Sequence, residues 1–147
     1  MATTTTAPAA VTTSVSSHAA RITTATVRVI IGLLFTMTGA NGFLNFMPGD
    51  PSAMSAGALK FSIALAETGY MVQLSSAVQL IAGILLLTNR YVPLALTMLA
   101  PMVVNIFLFH VFLEPSGLVL AVIVSAAEVY LAWVNRDAFR SVLRATR

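Results

Sequence analysis

Apolar residues fill four long stretches of the chain, and polar residues gather in the short breaks between them. Val29 to Gly49, Thr68 to Asn89 and Tyr91 to Leu113 carry no charged residue. Each exceeds the roughly 20 residues that cross a ~30 Å hydrocarbon layer. The pattern predicts spans at about 26–46, 71–88, 92–112 and 118–134. Met47-Pro48-Gly49-Asp50-Pro51 breaks the first stretch, with Asp50 placed as an N-cap and Pro51 as the first helical residue. A helix at about 51–68 follows, its apolar stripe formed by Met54, Ala58, Phe61 and Leu65, while Gly57, Lys60, Ala64 and Glu67 share another face. It reads as an amphipathic helix lying on the membrane surface, ended by Gly69. Asn89-Arg90-Tyr91 and Glu114-Pro115-Ser116-Gly117 are turns, too short for anything but hairpin connections. The expected fold is an all-α membrane protein: an antiparallel four-transmembrane-helix bundle with an extra amphipathic helix between spans 1 and 2.

Composition strengthens the membrane reading. The 147 residues are 58% hydrophobic and 9% charged, against about a quarter charged in an average soluble domain. A soluble enzyme is excluded. With no cysteine, disulfides, thiolate metal sites and CxxC redox pairs are excluded as well. Residues 1–25 form a Thr/Ser/Ala-rich tail with little to bury, expected to be disordered alone. It does not look like a secretory signal, because its first basic residue, Arg21, follows the tract rather than leading it. The basic tail at 135–147 places Arg136, Arg140, Arg144 and Arg147 near one helical stripe suited to anionic lipid headgroups.

Charge also sets direction. Arg21, Arg28, Arg90 and the four tail arginines fall on one side of the expected bundle, and Lys60 alone on the other. By the positive-inside rule, both termini are cytoplasmic. The expected partners are the lipid bilayer and other membrane proteins or further copies of this chain, with no nucleic acid.

Polar residues inside the spans are the candidate site. Asn41 and Asn45 lie one turn apart in the outer part of span 1, with Thr38 on their face. Gln79 sits near the middle of span 2, Asn105 outward of centre in span 3, and His110 near that helix's outer end with Glu114 one turn on. Asn and Gln in membrane helices commonly hydrogen-bond to neighbouring helices, so each has a structural reading beside the ligand-binding one. His110 and Glu114 form either a proton-handling pair or an interfacial histidine beside a helix-ending acid. Glu128 lies about ten residues into span 4, flanked on its face by Ala121, Ser125 and Ala132. An acid at that depth costs roughly 2.5–3.5 kcal/mol on insertion scales and should face the bundle. Three roles are open to it: a neutral hydrogen-bonded group, a partner for Arg28, or a ligand-binding or proton-relaying acid. Gly32, Thr36 and Gly39 read as helix contact alone.

Much chemistry is missing. One intramembrane histidine cannot supply bis-histidine haem ligation, and no HExxH, GxSxG, GxxxxGK or di-metal carboxylate spacing occurs. No metal, cofactor or catalytic residue is expected; quinone or a lipid is the ligand class left open.

The stretches Arg28-Val29-Ile30-Ile31-Gly32-Leu33-Leu34-Phe35 and Thr38-Gly39-Ala40-Asn41-Gly42-Phe43 resemble DoxX-like membrane proteins. So do the run from Ala82 to Leu96, Leu99-Ala100-Pro101, Val104-Asn105-Ile106, Phe109-His110, Glu114-Pro115-Ser116-Gly117 and Glu128-Val129-Tyr130-Leu131-Ala132-Trp133, so that the likeness covers roughly residues 26 to 143. The resemblance implies a small four-helix protein of the bacterial inner membrane, in a family loosely linked to respiratory or thiosulfate–quinone oxidoreductase assemblies. Relatives often carry Glu where this chain has Gln79. Three readings follow in order: an accessory or structural subunit of a membrane complex, a binder of quinone or another small lipophile, and a quinone-linked oxidoreductase subunit.

Overall fold

The computed structural model describes residues 12–47 and 49–143, and every regular element among them is helical. Helix α1 spans Thr12–Leu44, α2 Ala56–Glu67, α3 Met71–Leu87, α4 Val92–Phe112, α5 Leu118–Val134 and α6 Arg136–Leu143. Three stretches are long and apolar enough to cross a membrane: His18–Leu44, Val92–Phe112 and Pro115–Val134. A fourth exists if α2 and α3 are taken together, although they meet at 94°.

The first helix begins well before the expected span. Residues 12–25, read from sequence as part of an unstructured tail, form its opening turns; the remainder of that tail, 1–11, lies outside the described residues. Hydroxyls satisfy themselves along it, Thr23 Oγ1 donating to Ala19 O (3.0 Å) and Thr24 Oγ1 to Ala20 O (2.9 Å). This is a back-bonding geometry in which Thr tolerates a helix. A long-range contact then anchors the extension: the Tyr130 hydroxyl of α5 meets Thr24 Oγ1 at 2.9 Å.

The amphipathic element also differs in detail. Asp50 caps a separate 3-10 turn, Pro51–Ala53, by accepting from Ser52 N. The α-helix proper starts at Ala56 behind a second cap, Ser55, whose hydroxyl accepts from Ala58 N. Two consecutive cap residues divide what the sequence presents as one helix. Gly69 ends the region with φ 76°, a left-handed conformation that favours glycine. Ala58 is buried, Met54, Phe61 and Leu65 are half-buried, and Lys60, Ala64 and Glu67 are exposed, as the stripe requires; Gly57, read on the exposed face, is instead half-buried near Leu113. Phe61 packs on Phe109 of α4, ring centroids 5.5 Å apart.

Helix α1 packs most extensively on α3, and small residues bring their backbones together. A Cβ on Gly83 would stand 2.6 Å from Thr36 N, and one on Gly39 would stand 2.7 Å from Ser76 O. The partners of α1 run backwards along α3, from Leu87 opposite Gly32 to Ser76 opposite Gly42. Phe35, Leu86, Leu99 and Leu131 are the largest fully buried side chains of the core where α1, α3, α4 and α5 meet. The outside is as apolar as the inside. Ile30, Leu33, Leu94, Val104, Val119, Ile123 and Val129 are all exposed, a surface suited to lipid rather than water.

Of the expected arginine stripe at the C-terminus, Arg136 stacks 5.3 Å from the Trp133 ring centroid; Arg144 and Arg147 lie outside the described residues.

Candidate functional site

Helices α4 and α5 line a groove of about 520 Å³, within the range of small-molecule sites. Leu96, Val103 and Glu128 form its buried floor; Thr97, Ala100, Val104, Leu108 and Val129 form an exposed rim. Phe139 of α6 lines it as well, with Ala132 and Ser125 of α5.

Glu128 is the anomaly in this apolar setting. Its side chain is 7% exposed, and Oε1 is buried with no hydrogen-bond partner among the described residues. A buried polar atom left unsatisfied costs about 1–3 kcal/mol, more for a charged group. The sequence offered Arg28 as a partner. Instead, the Arg28 guanidinium donates to Leu86 O and caps the end of α3.

The other polar groups of the groove accept rather than donate. Ser125 Oγ gives its proton to Ala121 O (2.7 Å), and Thr97 Oγ1 gives its proton to Pro93 O (2.9 Å). Both oxygens keep only lone pairs for a visitor. Pro101 lies inside α4 and has no N–H, so the carbonyl of Thr97, one turn back, loses its in-helix donor. A groove walled by hydrocarbon, with a carboxyl and several acceptors clustered within it, suits a lipophile whose polar head donates hydrogen bonds.

A second, smaller cavity of about 140 Å³ lies between α1, α3, α4 and α5 and brings Gln79 and His110 together with Thr38. Thr38 Oγ1 donates to Gln79 Oε1 at 2.7 Å. His110 Nδ1 lies 2.8 Å from Glu114 O. A carbonyl can only accept, so Nδ1 carries a proton. The ring rests against Gly117, where a Cβ would collide with it. His110 is thus oriented by the Glu114 main chain, while the Glu114 carboxylate serves elsewhere. It accepts from Ser116 Oγ (2.6 Å) and from Ser55 N (2.7 Å), which hold it below the ordinary glutamate range.

The remaining candidates do not join either cavity. Asn41 clamps the chain leaving α1, accepting from Met47 N at 2.6 Å and donating to Met47 O at 3.2 Å. Asn45 is exposed with φ 47°, and its N–H donates to Asn41 O at 2.7 Å, the left-handed ending of a helix. Asn105 is exposed on α4, with no hydrogen-bond partner among the described residues. The outer polar cluster read from sequence as Asn41, Asn45, Asn105 and His110 is therefore dispersed over three environments. The sequence reading missed Thr97 as a groove residue; its signal was Pro101 four positions later in an otherwise helical run. No group of three or more His, Asp or Glu suited to a metal ion occurs among the described residues. Compared with known proteins, the chain matches no family model, no curated protein and no solved structure.

Proposed function

We propose that this chain is a membrane-embedded binder of a small lipophile of the quinone class, held in the α4–α5 groove with its polar head at Glu128. The supporting observation is the buried, unpartnered Oε1 of Glu128 beside a groove large enough for such a head. Because Ser125, Thr97 and the freed Thr97 carbonyl all accept, the reduced, hydroxyl-bearing form complements the groove better than the oxidised one. The proposal includes the finer architecture expected from sequence: an antiparallel four-helix bundle of the DoxX-like kind, with α3 as the second span, in a bacterial inner membrane with both termini cytoplasmic. The groove holds its ligand without catalysing a reaction.

Trp133, the one tryptophan of the chain, lies five residues from Glu128 on α5, outside the groove lining, close enough for its emission to be quenched by a quinone bound there. Titration of its fluorescence with a decyl-benzoquinone and with the corresponding quinol should give saturable quenching, tighter for the quinol. Glu128→Leu should leave only the linear quenching of a compound dissolved in detergent. Saturation that is unchanged in that variant would remove the proposal.

A second reading, an accessory subunit that docks on a membrane partner, draws on Asn105. An amide exposed on a membrane-length helix without a partner suits interhelical hydrogen bonding to another protein.

A further inference from the structure

A different groove, of about 500 Å³, opens at the opposite end of α1 from its Leu44 terminus. It is lined by Arg21, Thr24 and Arg28 of α1, by Asn89 of the α3–α4 turn and by Tyr130 of α5. The back wall is fixed. Thr24 Oγ1 donates to Ala20 O, so at the 2.9 Å contact between the two hydroxyls it is Tyr130 that donates to Thr24. Arg28 is held in place by its bond to Leu86 O and keeps further N–H groups free of that contact. Arg21 and Asn89 are exposed. No carboxylate pairs with either arginine among the described residues.

Depth adds to the chemistry. Helix α1 has 33 residues and is roughly 50 Å long, whereas a ~30 Å hydrocarbon layer takes about 20 of them. Counting back from Leu44, the layer ends near Ala25, between the two arginines. Two unneutralised guanidinium groups and an amide therefore surround a concavity at headgroup level, with Ala20, Ala25 and Val134 as its apolar sides. We infer that this groove is a binding site for a phosphate oxyanion, the shared chemistry of an anionic phospholipid headgroup and free phosphate.

Native mass spectrometry of the full chain in detergent tests it, with dioleoyl phosphatidylglycerol, dioleoyl phosphatidylcholine and inorganic phosphate as probes. Retention of phosphatidylglycerol over phosphatidylcholine identifies the lipid source. Adducts of inorganic phosphate, without lipid selectivity, identify the free ion. In either case Arg21→Gln should weaken binding about fivefold, and Arg21→Gln with Arg28→Gln should abolish the preference. Arg21 is exposed and without a hydrogen-bond partner among the described residues, so its replacement should leave the fold intact; Arg28→Lys, which keeps the charge, should retain most of the binding. Arg90→Gln, on the same charged side of the bundle but outside the groove lining, should change nothing. Equal binding of all three probes, or selectivity lost in Arg90→Gln and kept in Arg21→Gln, would overturn the inference.

Discussion

Glu114 Oε2 accepts the backbone N–H of Ser55 at 2.7 Å, joining the start of α2 to the end of α4 across 59 residues of chain. Ser55 returns the contact through its hydroxyl, which donates to Leu113 O. The residue that caps α2 is thereby also the residue that fixes where α2 lies.

This latch should be sensitive to acid. The Ser116 hydroxyl and the Ser55 N–H both favour the ionised carboxylate, so Glu114 titrates lower when folded than when unfolded. Its contribution is then full above the unfolded value of about 4.3 and is lost as pH falls through the lower, folded value. Asp50, held down in the same way by Ser52, adds to the same trend. Amide-exchange protection of α2 should fall between about pH 5 and pH 3 in the wild type. Glu114→Gln should show weaker protection at pH 6 and a flatter pH dependence, leaving the share due to Asp50.

The α1–α3 seam should tolerate no side chain at Gly83. A Cβ there would stand 2.6 Å from the Thr36 backbone nitrogen, which cannot move aside as a side chain can. Gly83→Leu should destabilise the protein by about 2 kcal/mol or more, measured by unfolding in mixed detergent. Gly49→Leu, where nothing lies within 4 Å, is the matched control and should unfold like the wild type.

Helix α4 and the far end of α1 were legible from charge-free length, α5, which contains Glu128, from the apolar run after the Glu114–Gly117 turn, and the Gly32–Thr36–Gly39 stripe correctly announced a close helix contact. The start of α1 was not, because its Thr- and Ser-rich residues read as tail, whereas the Thr23 and Thr24 hydroxyls in fact bond back along the helix. The site was legible in part. Burial of Glu128 follows from the cost of an acid in hydrocarbon. The grouping of the other polar residues was not, since depth along a helix says nothing of azimuth: Asn105 and His110, five positions apart on α4, point to different surroundings.

Asn41 and Asn45 should behave as structural residues. Asn45→Gly keeps the left-handed backbone and should leave stability unchanged, whereas Asn45→Val should cost about 1–2 kcal/mol. Asn41→Leu removes both bonds to Met47 and should cost about 1 kcal/mol. Thermal melts measure these effects; ligand retention should not change in any of the three.

Asn105→Leu should also leave ligand retention unaltered and shift the unfolding free energy by no more than about 0.5 kcal/mol, because the side chain is exposed and unpartnered among the described residues. Loss of a co-purifying membrane protein in this variant, seen on a native gel, is the expected sign of docking through α4.

The most direct measurement is the amount of quinone-class lipid extracted per mole of protein purified in mild detergent, wild type against Glu128→Leu. Near-stoichiometric lipid in the wild type, enriched when the membranes are kept reduced and lost in a folded Glu128→Leu protein, is the expected result. Equal amounts in the two proteins would contradict a ligand held at Glu128.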